Sequence, residues 1–147
     1  MQSTAQASWQ GTLLEGSGLV ESVGSGAFTG LPITWNARTA SHDGRTSPEE
    51  LVAAAHASCF AMAFSNKLAG AGHPAVSLAV SATVDFEKLE GGWTIVKITL
   101  AVAGSVPGID QAQFDALAAD AKATCPISRA LNPTIEVALT TSPLSND

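Results

Sequence analysis

Four consecutive residues, Ser47-Pro48-Glu49-Glu50, constrain the fold more than any other stretch of the chain. Ser at the N-cap, Pro at the first helical position and Glu three residues after the cap make a capping box. The pattern predicts a helix from Pro48 to about Leu68, closed by Gly70 or Gly72. At ~1.5 Å per residue such a helix spans roughly 30 Å, the width of a small domain. Leu51, Val52, Ala55, Cys59, Met62 and Ala63 recur at helical spacing, while Ala53, Ala54, Ala57 and Ala61 leave the other faces small and weakly polar. A helix with so little polar surface is buried on most sides. The expected core is therefore a long buried central helix packed against sheets or against a partner's helix.

The rest of the chain supplies those sheets. Leu78, Val80, Ala82, Val84 and Phe86 alternate with Ser77, Ala79, Ser81, Thr83 and Asp85; Gly91-Gly92 reverses the chain; Thr94, Val96, Ile98, Leu100 and Val102 alternate on the way back. This is a hairpin of two half-buried strands. Ahead of the central helix, Ala7 to Leu13, Ser17 to Val23 and Ile33 to Arg38 read as three shorter strands broken by Gly-containing turns. After the hairpin, Asp110 caps a second helix carrying Phe114, Leu117, Ala118 and Ala121. Cys125-Pro126 breaks it, because the residue before Pro avoids helical geometry, and a short helix from Ile127 to Leu131 follows. Ile135, Val137 and Leu139 form a last strand, and Ser142 to Asp147 reads as a frayed tail. The main order is β-β-β-α-β-β-α-β, which indicates an α+β fold rather than a doubly wound sheet. At 147 residues the chain amounts to about one domain, residues 1–147.

Composition removes several function classes. Seven basic residues against thirteen acidic give a net charge of −6. A phosphate backbone or an anionic membrane surface calls for a basic stripe, so neither nucleic acid nor membrane is expected as a partner. No run of about 18 apolar residues is present to span a bilayer. The N-terminus, Met1-Gln2-Ser3-Thr4-Ala5-Gln6, has neither a basic start nor an apolar run and carries no readable signal peptide. Only 14% of residues are charged, which leads us to expect apolar surface covered by another subunit.

Two cysteines, Cys59 and Cys125, are the only ones in the chain. A small secreted scaffold would carry more, closer together. In the expected cytoplasmic setting they act as thiols, ligands or redox partners. Cys59 lies about three turns into the central helix, where an isolated thiol is an inert core residue with a raised pKa unless a cation stands near. The helix dipole fades beyond the first turn and does not supply one. Arg38 and Arg45, both ahead of the helix, are the nearest candidates, with Arg45 in the polar turn His42-Asp43-Gly44-Arg45 and Arg129 close to Cys125. Glu49 is ~15 Å along the axis from Cys59 and does not touch it, but is free to orient an arginine. Cys125 sits beside Pro126 near the start of a short helix, where backbone N–H groups would lower its pKa and suit it to thiol–disulfide exchange, or it is simply a half-buried turn residue.

A metal site is the competing use of His56 and Cys59, three apart on one helix, with Cys125 as a third ligand. It lacks a fourth ligand and any tight Cys-x-x-Cys pair, and His56 reads better as a packed histidine. No phosphate-binding loop, nucleophile-elbow Ser or nucleotide fingerprint appears, and neither metal nor other cofactor is expected.

Taken jointly, these stretches resemble the OsmC/Ohr family of thiol peroxidases. The resemblance runs from Trp9 to about Leu139. It rests on Ser47-Pro48-Glu49-Glu50-Leu51, Ala54-Ala55-His56-Ala57-Ser58-Cys59-Phe60, Val106-Pro107-Gly108-Ile109-Asp110, Ala123-Thr124-Cys125-Pro126-Ile127-Ser128 and Trp35-Asn36-Ala37-Arg38. The Ala-Ala-His before Cys59 and the Val-Pro-Gly-Ile-Asp run are more similar to the OsmC branch than to the Ohr branch. The resemblance implies an OsmC-like fold in an intertwined homodimer. It implies Cys59 as the peroxidatic cysteine, Cys125 as the resolving one, Arg38 as the partner of the Cys59 thiolate and Glu49 as the residue that holds Arg38. The implied reaction reduces organic hydroperoxides, and hydrogen peroxide more weakly, through a Cys59 sulfenic acid and an intrachain Cys59–Cys125 disulfide reset by a dithiol or a lipoylated protein. Phe60, Met62, Phe64, Phe114 and Ile127 are candidates for an apolar substrate pocket, or are simply core. The alternative is a non-catalytic dimer that binds a small apolar ligand in the same groove, with both thiols inert.

Overall fold

Thr34 decides where the N-terminal strands end. Its backbone is extended, at φ −143° and ψ 162°, and its side chain accepts a hydrogen bond from the Ala37 N–H at 3.2 Å. That is an N-cap, and in this computed structural model, which describes residues 1–131 and 134–145, a helix rather than a strand follows it. The elements are β1 (Ala5–Gln10), β2 (Ser17–Val23), β3 (Thr29–Ile33), α1 (Trp35–Thr39), α2 (Pro48–Gly70), β4 (Ser77–Leu89), β5 (Gly92–Ser105), α3 (Gln111–Thr124), α4 (Pro126–Leu131) and β6 (Glu136–Thr141). The expected third strand, Ile33 to Arg38, is thus corrected: the strand stops at Ile33, and Arg38 lies in the last turn of α1. α1 is the helix the sequence reading lacks; α4 is the expected short helix, begun one residue earlier at Pro126, and the α+β class stands.

The chain divides into two compact units, Met1–Leu51 and Val52–Asp147. In the first, β1, β2 and β3 form an antiparallel sheet in that order. The first strand ends earlier than its apolar pattern suggests, because Gly11 takes a positive φ of 84° and the chain turns, with the Gly16 N–H bonded to the Thr12 carbonyl at 2.9 Å. The unit closes on the start of α2, where Ser47 caps as expected by accepting the Glu50 N–H at 3.1 Å. The Glu50 carboxylate accepts the Thr46 hydroxyl at 2.7 Å. Trp9, Leu13, Leu14, Leu19 and Phe28 all keep substantial exposed surface.

In the second unit β4, β5 and β6 form one sheet in that order, with β4 antiparallel and β6 parallel to β5. Ile98, Leu100 and Val102 are fully covered on one face of β5, as the alternation requires. Against the sheet packs one stripe of α2. It consists of His56, Phe60, Phe64 and Leu68, four residues apart, each with no exposed surface. This corrects the predicted inner face. Met62 is 68% exposed, Ala54, Ala55 and Ser58 are exposed with it, and Cys59 flanks the stripe half-buried. The aromatic rings are larger than any alanine or valine on the helix, so they claim the sheet side and turn the small residues outward. In this chain by itself the helix is therefore covered on one side rather than on most sides.

Phe64 meets Phe114 of α3 edge-on, with ring centroids 5.0 Å apart, and Phe60 stacks on Phe64 at 5.7 Å. Ala118, Ala121, Cys125 and Val137 complete the core. Gly104 lets α3 come close: a Cβ there would stand 2.8 Å from Leu78 Cδ2 and 3.3 Å from Phe114 Cε2. The tail is tied rather than frayed as far as it is described. Leu144 donates its N–H to Gln111 Oε1 at 2.8 Å, and Ser145 donates to the Gly104 carbonyl at 3.2 Å. Asn146 and Asp147 of the predicted tail lie outside the described residues.

Candidate active site

Pro126 shapes the local backbone. As the residue before it, Cys125 is kept extended, at φ −59° and ψ 124°, and so ends α3. Pro126 then opens α4 at the position where its missing N–H costs nothing. Cys125 becomes the N-cap of α4, with its carbonyl accepting the Arg129 N–H at 2.9 Å. Its sulfur does what a capping oxygen does, accepting the N–H groups of Ser128 and Ile127.

That position brings Cys125 to Cys59. The two sulfurs are 3.2 Å apart, both are free thiols, and Cys125 is fully buried while Cys59 is half-buried. A disulfide needs ~2.05 Å between sulfurs, so this is the reduced pair in S–H···S contact. Burial works against ionising either thiol, but the balance differs. At Cys125 the donors outweigh burial: the Ser128 N–H, the Cys59 thiol, the Ser128 hydroxyl and the Ile127 N–H hold its pKa below the ordinary cysteine value. At Cys59 burial prevails and pushes the pKa up; the Ile127 N–H opposes this, and the hydrogen bond to Cys125 and that neighbour's charge add to it. Within this unit, then, the proton that leaves first leaves Cys125, and Cys59 donates to the resulting thiolate. Cys59 needs a cation to become a nucleophile at neutral pH.

Ser128 was not singled out by the sequence. It is buried, and its hydroxyl lies 2.7 Å from His56 Nε2. The one local hint is its place three residues after Cys125, the spacing of an N-cap and its third helical residue. His56, read as a packed histidine, is fully buried in the same stripe as Phe60. Burial lowers its pKa, so the ring is neutral near pH 7. Among the described residues its Nδ1 has no hydrogen-bond partner, and no group of three or more His, Cys, Asp or Glu side chains is placed to hold a metal ion.

The predicted arginine and glutamate come together in the first unit. Arg38 Nη2 donates to Glu49 Oε1 at 2.6 Å, and Arg38 Nε reaches Oε2 at 3.1 Å and Oε1 at 3.2 Å. The Glu49 side chain is only 10% exposed, and the Arg38 guanidinium also lies 5.3 Å from the centre of the Trp35 ring. Two N–H groups on one carboxylate fix the guanidinium plane as a single bond cannot. Arg45 lies in an exposed turn. A cavity of about 220 Å³ beside Arg38 is lined by Trp9, Leu13, Ile33, Thr34, Trp35 and Pro48.

Of the five pocket candidates, Phe60, Phe64 and Phe114 are core with no exposed surface, Met62 faces outward, and Ile127 is half-buried beside the two sulfurs. No helix of the described residues is long and apolar enough to cross a membrane.

Comparison with known proteins is consistent across sequence and structure. The family pattern described as OsmC-like protein matches residues 41–140. The Peroxiredoxin OsmC of Escherichia coli (strain K12) is 42% identical over 130 residues, which cover 88% of this chain and 90% of that one. An Organic hydroperoxide resistance protein of Xanthomonas axonopodis pv. citri (strain 306) is 37% identical over 100 residues, or 65% of this chain and 66% of that one. Among solved structures, the Organic Hydroperoxide Resistance Protein OhrB of Bacillus subtilis superposes with a TM-score of 0.73 at 25% identity, over 95% of this chain and 98% of that one.

Proposed function

This chain belongs to the OsmC family, and on that footing we propose that it is a thiol-dependent peroxidase that reduces organic hydroperoxides to alcohols, and hydrogen peroxide more weakly. The observation that carries the reading is the 3.2 Å approach of two free thiols that lie 66 residues apart in sequence. The names of its relatives, a peroxiredoxin and an organic hydroperoxide resistance protein, point the same way.

The reaction proceeds in three steps. The Cys59 thiolate attacks the distal oxygen of the hydroperoxide. The O–O bond breaks, the alkoxide takes a proton and leaves as alcohol, and Cys59 carries a sulfenic acid. The Cys125 thiolate then attacks the Cys59 sulfur. The S–S bond forms, the S–O bond breaks, and hydroxide leaves and takes up a proton as water. An external dithiol, free or as a lipoylated protein, reduces the disulfide and is itself oxidised to one.

The cation that Cys59 needs is assigned to Arg38, held by Glu49, rather than to the exposed Arg45. Ile127, beside the sulfurs, is the best of the five pocket candidates. The working protein is a homodimer acting in the cytoplasm, with the chain as one OsmC-like domain. The exposed apolar side chains Trp9, Leu19, Phe28 and Met62 support a partner subunit.

Consumption of cumene hydroperoxide in the presence of a dithiol tests the reading. Turnover that is lost in Cys59→Ser supports it. Equal turnover in Cys59→Ser and wild type, or binding of the hydroperoxide without reduction, points instead to an apolar-ligand protein.

A further inference from the structure

We propose that His56 and Ser128 form a hydrogen-bonded relay to the sulfur of Cys125, in which Ser128 touches the reacting atom and His56 acts through it as a positioning residue. The proposal rests on the reading of Cys125 as the resolving thiol and adds what stabilises its thiolate.

The Ser128 hydroxyl has one proton to give. It is 2.7 Å from His56 Nε2, and three residues into the helix that Cys125 caps it is also among the donors that lower the Cys125 pKa. It cannot donate in both directions at once. With the Cys125 thiolate formed, its proton is directed to sulfur, so the 2.7 Å contact must be filled from the other side, by an N–H on His56 Nε2. A neutral imidazole carries one N–H, so Nδ1 is left as a bare acceptor, in agreement with its having no partner among the described residues. The chain of donation runs from His56 Nε2–H to Ser128 Oγ, and from Ser128 O–H to the Cys125 sulfur. Both side chains are buried, so no water competes. A hydroxyl that accepts from an imidazole is a stronger donor to an anion than one that does not.

This arrangement acts at two moments. In resolution it favours the Cys125 thiolate that attacks the Cys59 sulfenic acid. In reduction, a dithiol's thiolate attacks the Cys59 sulfur of the disulfide; a new S–S bond forms, the Cys59–Cys125 bond breaks, and Cys125 departs with the electron pair as thiolate. The Ser128 hydroxyl is in place to receive that charge. The dithiol's second thiolate then releases Cys59. No proton need cross the relay, because the histidine stays neutral throughout.

The test uses a Cys59→Ser chain, which keeps a hydroxyl donor at position 59 and leaves Cys125 as the single thiol. The pH midpoint of Cys125 ionisation is read from thiolate absorbance. Ser128→Ala and His56→Leu should each raise it by about one pH unit, since a hydrogen bond to an anion is worth on the order of a tenfold change or more. His56→Gln, which keeps an N–H near the Nε2 position, should restore most of the shift, and His56→Leu added to Ser128→Ala should raise the midpoint no further. An unchanged midpoint in His56→Leu, or full additivity with Ser128→Ala, overturns the relay. Should His56→Leu fail to fold, Ser128→Ala against Ser128→Thr decides, because only Thr retains the hydroxyl; equal midpoints for these two overturn the proposal. No peroxide is used. An ordinary midpoint in the Cys59→Ser chain, with the wild-type protein active on cumene hydroperoxide, sinks the relay alone; a low midpoint there, with the wild-type protein inactive, sinks the peroxidase reading alone.

Discussion

The sulfur of Cys125 stands 3.2 Å from that of Cys59, and the two thiols are shifted in opposite directions, Cys125 down and Cys59 up. The asymmetry comes from the backbone. Cys125 caps a helix and collects its N–H groups, whereas Cys59 sits in mid-helix, where the N–H groups are already used. Of the two, Cys125 is the thiol that ionises more readily, and Cys59 depends on an outside cation to become a nucleophile.

Arg38→Ala should lower peroxide consumption by about 100-fold, the loss typical of removing one charge-stabilising donor. Arg45→Ala should stay near wild type. Glu49→Gln should fall between them, because it keeps the shape of the carboxylate but loses the two-point charged grip on the guanidinium. Steady-state rates with a fixed dithiol check the ranking, and equal losses in Arg38→Ala and Arg45→Ala would undo the assignment.

Phe64→Ala should destabilise the protein by about 3–5 kcal/mol, as for large-to-small changes in a closed core. Phe64 is fully buried and touches both Phe60 and Phe114. Met62→Ala, on the exposed side of the same helix, should cost much less in the isolated chain. Urea unfolding of both variants measures the difference, and similar costs would contradict the observed inner face.

His56 should make stability fall on acidification. Its folded pKa is lowered by burial. Its contribution is therefore complete above the unfolded value of about 6.5 and is lost as pH falls from there toward the folded pKa, where the unfolded state binds a proton that the native state does not. The slope it adds is at most about 1.4 kcal/mol per pH unit. His56→Gln should flatten the acid side of the stability curve below pH 6.5. Parallel curves for the two proteins would show that His56 titrates normally.

Much of this architecture is legible because its signals are local. The capping box set the start of α2 at Pro48, and the alternation from Ser77 to Val102 with Gly91-Gly92 between is the hairpin that the structure contains. The failures have a different physics. The five-residue helix that carries Arg38 is too short to show a period, so Thr34 was its only announcement. The inner face of α2 is not legible in the sequence because alanines repeat in every direction, and only ring size at Phe60 and Phe64 breaks the tie. Ser128 does not stand out in the sequence because its partner, His56, is 72 residues away, and no local pattern joins the two. The Arg38–Glu49 pair fell between these cases: eleven residues apart, it came from family resemblance, and the structure supplies its geometry.

The most direct test of the central claim is a count of free thiols, with intact mass, before and after one equivalent of cumene hydroperoxide without reductant. Both thiols should disappear and each chain should lose the mass of two hydrogen atoms, as one intrachain Cys59–Cys125 disulfide requires. Retention of both thiols at unchanged mass would contradict it and leave Cys59 as an inert core residue.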